Sequence, residues 1–395
     1  MKRKVCFVLT ARASYAKLKT VLQHIKANDQ VELQLVCAAS ALLGRFGNLI
    51  QTVEDDGFFI NERLNFLIEG EDHLTTTKSA GLGLIEFAGA FDRLQPDVVV
   101  VMADRFEVLS AAIAASYQNI PLAHIQGGEV SGNIDEKVRH AITKLADLHF
   151  PATKRAMEWI IRMGEQADRV FHTGCPSIDL ARSVLEAPEL DFDVYERYGG
   201  VGNKPVLDDG YIIVMQHSVT TEPTQSREHI LETLYAVVDL PCAVLWFWPN
   251  PDAGTDEVSK TIRSFREKFD PKNIHFFKSM EPFDFLRLLN GSRGIVGNSS
   301  SAIREASYLG VPAVNIGSRQ QNRERGPNVI DVDYDRVLIL KTVKEHFNDA
   351  KLQSDVYGNA EAGKAIAEIL SEVPLTYFKD INYLNDTDIE QGTGN

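Results

Sequence analysis

The sequence predicts an α/β protein of two doubly wound domains with a cleft between them. Three observations carry this. Short apolar runs alternate with helix-period segments in the first half of the chain, and again from Tyr211 onward. One run, Val98-Val-Val-Val-Met102, is continuously apolar, as in strands buried on both faces of a parallel sheet. A chain of 395 residues is also too long for one core and comfortable for two.

Taken in order, Val5–Leu9 reads as the first strand, Thr10–Tyr15 as a polar turn and Ala16–Ile25 as a helix. Glu32–Ala38 is a second strand, Ala41–Val53 a helix, Phe58–Phe66 an extended stretch and Leu82–Phe91 a helix. After the valine strand come a helix (Glu107–Tyr117), a strand (Pro121–Ile125), helices near Ile134–Ala146 and Lys154–Met163, and a strand at Arg169–His172. The segment around Leu185–Gly210 is rich in Glu, Asp, Tyr, Gly and Pro without a period, and reads as a linker. Alternation restarts with strands at Tyr211–Met215, Ala243–Trp248, Ile274–Phe277, Gly294–Val296 and Ala313–Ile316, with helices between them. The domains expected are residues 1–185, a linker over 186–210, a second domain over 211–370, and a tail over 371–395 that packs back on the first domain.

The net charge of -14 argues against nucleic-acid or anionic-membrane surfaces, so an anionic ligand needs a locally positive pocket. The apolar run at the N-terminus is too short for a signal or a span. Four scattered cysteines, without CxxC spacing or a Cys/His cluster, give no disulfide or zinc signature, so a cytoplasmic protein without a structural metal is expected. No GxGxxG follows the first strand, and neither a P-loop nor a GxSxG elbow is present, so no cofactor is expected.

The polar turns follow strands: Arg12, Asp104, Glu129, His217 and the serine turn Asn298-Ser-Ser-Ser-Ala-Ile-Arg-Glu305. Doubly wound sheets bind ligands at the carboxyl ends of their strands, so these turns predict an interdomain site for an anionic substrate. The N–H groups and hydroxyls of Ser299 and Ser300 suit a phosphate at a helix start, and Glu305, a turn further on, suits sugar hydroxyls. Each feature has a plainer reading. Ser299 or Ser300 is equally an N-cap. Asp104 is equally a partner of Arg105 or a cap. Asp135 has i,i+4 spacing to Arg139, Asn133 with Glu136 resembles a capping pair, and His140 reads as structural. Arg12, His217 and Arg319 singly read as surface charges. Together, Asp104, Glu129 and Asp135 can hold different protonation states and so act as acid and base.

Several stretches resemble those of the hydrolysing UDP-N-acetylglucosamine 2-epimerases of sialic-acid-type pathways, relatives of the non-hydrolysing epimerases and of GT-B glycosyltransferases. They are ADRFEVL (Ala103–Leu109), HIQGGEVSGNIDEKVRHAITKLADLHF (His124–Phe150), TGCPSIDL (Thr173–Leu180), QHSVTTE (Gln216–Glu222), WPNPDAG (Trp248–Gly254) and GNSSSAIREASYLGVPAVNIGSRQQNRE (Gly297–Glu324). The resemblance implies two Rossmann-like domains in a GT-B-like arrangement with a UDP-sugar in the cleft. It implies that Asn298, Ser299 and Ser300 hold the diphosphate, that Glu305 takes the ribose hydroxyls, and that Arg319 and Asp252 contact the substrate. It also implies that Arg12 guards the phosphate, that His217 lies near the leaving oxygen, and that Asp104 and Asp135 are catalytic.

The implied reaction removes the C2 proton as UDP leaves C1, then hydrates the resulting 2-acetamidoglucal to N-acetylmannosamine. Family members commonly carry Glu where this chain has Gln126, which cannot be a base, so Glu129 is the candidate replacement. Ala103 and Ser14 also depart from the family pattern. The substrate expected is UDP-N-acetylglucosamine, with a UDP- or GDP-2,4-diacetamido-2,4,6-trideoxy sugar as the alternative. Alternatives of other classes are a GT-B glycosyltransferase and a silent nucleotide-sugar binder. A homo-oligomer is expected by analogy with the family.

Overall fold

In the computed structural model, residues 2–44, 49–68, 70, 73–130, 134–219, 222–249, 255–347, 349–376 and 378–381 are described. The chain divides into two units. Unit 1 gathers Met1–Glu129, Asp135–Pro176 and Glu361–Asn395, and unit 2 gathers Val130–Ile134 and Ser177–Ala360. The first stretch carries β1 (Arg3–Leu9), α1 (Arg12–Ala27), β2 (Val31–Ala38), α2 (Leu49–Asp55), β3 (Glu62–Leu64), α3 (His73–Leu94) and β4 (Val98–Met102). It continues with α4 (Phe106–Tyr117), β5 (Leu122–Ile125), α5 (Ile134–Leu145), β6 (Leu148–Phe150) and α6 (Lys154–Arg162). The second carries α7 (Pro176–Glu186), α8 (Val194–Tyr198), β7 (Val201–Gly202), β8 (Tyr211–Met215), α9 (Ser226–Val238), β9 (Ala243–Phe247) and α10 (Thr255–Phe269). It ends with β10 (Ile274–Phe277), α11 (Pro282–Gly291), β11 (Gly294–Gly297), α12 (Ser300–Ile303), α13 (Glu305–Leu309), β12 (Ala313–Ile316), β13 (Val329–Val332) and α14 (Arg336–His346). The last helix is α15 (Ala362–Glu372).

Unit 1 is a parallel sheet in the order β3-β2-β1-β4-β5-β6. Side chains alternate across a strand, so β1 feeds two cores. Val5, Phe7 and Leu9 join α1 and α15 on one face, while Cys6 and Val8 join α3 and α4 on the other. The strand order reverses between β1 and β4, which brings the turns carrying Arg12 and Asp104 to neighbouring strands, where such sheets take ligands.

Unit 2 is a second sheet, β13-β12-β11-β8-β9-β10-β7, parallel except for β7, which runs antiparallel to β10. Ile212 and Val214 of β8 pack into the layer of α9, α10 and α14, and Tyr211 and Ile213 into the opposite layer. Its order reverses between β8 and β11, so the turns after Met215 and Gly297 are neighbours. Two doubly wound α/β units are thus present, as the sequence predicts.

Three boundaries differ from expectation. The first domain, expected to reach residue 185, gives way at Pro176, so that α7 from Ser177 on belongs to unit 2. Residues 186–210 are a folded part of unit 2. Asp193 caps α8 by accepting from the Tyr195 and Glu196 N–H groups at 2.7 and 3.1 Å, and Tyr195 stacks on Phe277 and meets His275 edge-on. These aromatics pack without helical spacing, so the segment reads as irregular. The helix read as closing the second domain is α15, and it belongs to unit 1. Ile366 and Leu370 are fully buried in the core that contains α1, and Arg3 Nη1 donates to the Leu370 and Val373 carbonyls at 2.8 and 2.9 Å. Burying those two side chains contributes about 1.5–3 kcal/mol each, and the carbonyls at the helix end gain a cationic donor.

Candidate active site

In unit 1 the ends of β4 and β5 lie side by side, and a guanidinium joins their turns. Arg139, on α5, is 1% exposed. Its Nη1 donates to the Glu129 carbonyl at 2.6 Å and its Nη2 contacts Oδ2 of Asp104. Asp104 therefore pairs with Arg139. Its sequence neighbour Arg105 instead makes two bonds to the buried carboxylate of Glu107, at 3.0 and 3.1 Å, and no side chain caps the start of α4.

The turn before Asp104 is unusual. Ala103 has φ of 65°, in the left-handed region that favours glycine. Its N–H donates to the Ile125 carbonyl at 3.0 Å, and its carbonyl lies 2.9 Å from Nε2 of His124. Gln126, at the end of β5, also has positive φ, 63°, and its amide donates to Sγ of Cys175 at 2.9 Å. Gly127 follows because a Cβ there would stand 2.9 Å from both His124 Nδ1 and Thr143 Oγ1. Glu129 is buried. Arg12 lies half-buried at the start of α1. Asp135 lies in the first turn of α5, but its side chain lies outside the described residues, as does Asp252.

In unit 2 the serine turn follows β11. Gly297 has φ of 129°, and a Cβ there would meet the Met215 carbonyl at 2.1 Å, so only glycine lets β11 end this close to β8. Asn298 is fully buried. Its Oδ1 accepts from the His217 N–H at 2.7 Å, and its Nδ2 donates to the His217 carbonyl at 2.9 Å. The Asn298 carbonyl accepts from Gln320 Nε2 at 2.9 Å and Arg319 Nη1 at 3.2 Å. The residue thus joins the turn after β8, the serine turn and the loop after β12.

Ser299 caps α12, accepting from the Ser301 N–H at 3.3 Å, and Ser300 is the first residue of that helix. α12 and α13 do not run on as one helix: they are separated at Arg304, whose guanidinium is buried over the Tyr357 ring at 5.0 Å. A four-residue helix supplies little macrodipole, so anion binding here rests on local N–H groups and hydroxyls. Glu305 is 6% exposed, and its Oε2 has no hydrogen-bond partner among the described residues. A buried carboxylate oxygen without a donor costs free energy until a ligand supplies one. Ser318 donates to Glu222 at 2.8 Å beside this loop.

The acids Asp104 and Glu129 thus come together in unit 1, and His217, Asn298, Ser299, Ser300, Glu305 and Arg319 in unit 2. Both ends of the Asn298 amide are engaged by the His217 backbone, so the side chain ties the serine turn to the turn after β8. Sequence reasoning missed Arg139, His124, Thr143 and Cys175. The i,i+4 spacing tied Arg139 to Asp135, while His124 sits in an apolar strand that gives no hint of its bonds. Among the described residues, no group of His, Cys, Asp and Glu could hold a metal, and no helix is long and apolar enough to cross a membrane.

The family model described as UDP-N-acetylglucosamine 2-epimerase matches residues 23–371. A Legionella pneumophila protein named UDP-N,N'-diacetylbacillosamine 2-epimerase (hydrolyzing) is 32% identical over 95% of this chain and 97% of its own length. A Neisseria meningitidis UDP-N-acetylglucosamine 2-epimerase is 30% identical over 94% of this chain and 95% of its own. A crystal structure of the Methanocaldococcus jannaschii UDP-GlcNAc 2-epimerase in complex with UDP-GlcNAc and UDP superposes with a TM-score of 0.77 at 20% identity, covering 93% of this chain and 99% of that one.

Proposed function

The chain belongs to the UDP-N-acetylglucosamine 2-epimerase family, and we propose that within it this protein is a hydrolysing enzyme that converts UDP-N-acetylglucosamine and water to N-acetylmannosamine and UDP. The observation that carries the reading is the buried Glu305 oxygen without a donor, next to the serine turn, which suits a ribose hydroxyl. Ser299, Ser300 and Arg319 take the diphosphate and nucleotide side. His217 serves the leaving oxygen.

The chemistry falls to Asp104, Glu129 and Asp135. A base takes the C2 proton, and the C–H electron pair forms the C1=C2 bond as the C1–O bond breaks and UDP leaves with its electrons. Water then adds at C1, and a proton returns to C2 on the opposite face. The C2 proton is weakly acidic, so its loss must be coupled to departure of the diphosphate, and each fixed donor to that charge is worth roughly 3 kcal/mol. Gln126 cannot be the base; its amide is spent on Cys175.

A second substrate, a UDP-2,4-diacetamido-2,4,6-trideoxy sugar, is favoured by the name of the Legionella relative. A product-resolved assay over both UDP-sugars decides. UDP and a free manno-configured sugar, with deuterium at C2 in heavy water, are expected. Release of an intact epimerised UDP-sugar would overturn hydrolysis. The family is one of epimerases, not glycosyltransferases. Free thiols at all four cysteines support a reducing, cytoplasmic setting. Exposed Leu74, Leu82 and Ile85 along α3 support self-association, and a monomer in light scattering would count against it.

A further inference from the structure

We propose that His124 is a positioning residue for Asp104, holding the Ala103 carbonyl through its Nε2 proton while Thr143 engages the other ring nitrogen. The inference rests on the catalytic reading of Asp104.

The hydrogen bonds determine where the ring proton sits. His124 is fully buried in β5, and burial pushes its pKa down to about 3, so the ring is neutral. A neutral imidazole has one donor and one acceptor. The Ala103 carbonyl 2.9 Å from Nε2 can only accept, so Nε2 carries the proton. Nδ1 is then bare and takes the hydroxyl proton of Thr143, 3.1 Å away and itself fully buried. The opposite tautomer would set a lone pair against the carbonyl.

That bond matters because of where Ala103 stands. A left-handed φ on a residue with a Cβ is strained and persists only when its surroundings hold it. Both polar groups of Ala103 are held by β5, the N–H by the Ile125 carbonyl and the carbonyl by His124. The next residue is Asp104. Its backbone is thus aimed from β5 while its carboxylate is held from α5 by Arg139. Gly127 keeps the space that the imidazole and the hydroxyl need. A buried, neutral ring engaged at both nitrogens has no proton to exchange with substrate, so its contribution is geometric.

The test uses the full-length enzyme. His124→Phe removes the donor, while His124→Gln returns an N–H near the same place. Misplacing a reacting group by about 1 Å can cost on the order of 100-fold, so H124F is expected to lose kcat by about that factor with KM and UDP binding little changed. H124Q should regain most of it. Equal losses in H124F and H124Q would overturn the proposal. Histidine-labelled NMR of the native enzyme gives an answer that needs no substrate. A protonated Nε2 and a bare Nδ1 at His124 are expected, and the reverse overturns the inference even if the enzyme proves active. If no nucleotide-sugar is turned over, the functional reading fails while the tautomer is still decided.

Discussion

The Asn298 side chain bonds the backbone of His217 in both directions, accepting from its N–H at 2.7 Å and donating to its carbonyl at 2.9 Å. The pair acts as one more rung between the ends of β8 and β11, made by a side chain. Asn298→Ala leaves both backbone groups buried and unpaired, at about 1–3 kcal/mol each. Thermal melts should show that loss, and calorimetry should show weaker UDP binding although Asn298 need not touch UDP. Unchanged UDP affinity in a destabilised N298A would mean that the serine turn keeps its shape without the rung.

Glu305 gives a sharper binding test. Hydrogen bonds to charged groups are worth about 1.5–3 kcal/mol, so Glu305→Ala should weaken UDP roughly 10- to 100-fold. Native protein should lose a similar factor for UDP lacking its ribose hydroxyls, and E305A should lose nothing more for that analogue. Equal losses in both proteins would place the hydroxyls elsewhere.

For Asp104 and Arg139 the expectation is non-additive. Asp104→Asn should cut kcat by about 10²–10⁴, the range for a general acid or base. Arg139→Met removes the buried guanidinium from the Asp104 carboxylate and should cost about 3 kcal/mol of stability as well as activity. The double variant should be no slower than the slower single one, because the two side chains act together. Independent, multiplying losses would separate them.

His124 also predicts a pH dependence. Its pKa is about 3 in the folded protein against an ordinary 6.5. Between those values the unfolded chain binds a proton that the native state refuses, so stability falls as pH drops from 6.5 toward 3, at up to about 1.4 kcal/mol per unit. Glu165 adds the same sign lower down. Burial raises its pKa, but hydrogen bonds from His149, Lys144 and Lys379 outweigh this and bring it to about 2, so its contribution is present above the ordinary 4.5 and is lost as pH falls toward 2. Denaturant melts of native and H124Q protein at pH 7, 6, 5 and 4 should show a shallower slope for the variant. Parallel slopes would mean that His124 titrates normally.

Much of this was legible in the sequence because parallel strands buried on both faces leave continuous apolar runs. The valine run of β4 and the turns holding Asp104, His217 and the serines could be read directly. The rest depends on partners far apart in sequence. Arg139 reads as the i,i+4 partner of Asp135, but it reaches a carboxylate 35 residues back. Nothing in the pattern of α15 says which sheet it covers. The break at Arg304 comes from a buried guanidinium over Tyr357, and helical periodicity does not register it. The burial that leaves a Glu305 oxygen without a donor exists only once β11, β12 and their loops are assembled.

The return of α15 to unit 1 has a consequence for the order in which the protein is made. Ser177–Ala360, nearly all of unit 2, is synthesised before the helix that covers α1. On the ribosome unit 2 can finish folding while unit 1 still waits for Ile366 and Leu370, its α1 surface open to solvent. The unit with the acids is begun first and closed last, which makes the C-terminal helix the step that completes the enzyme.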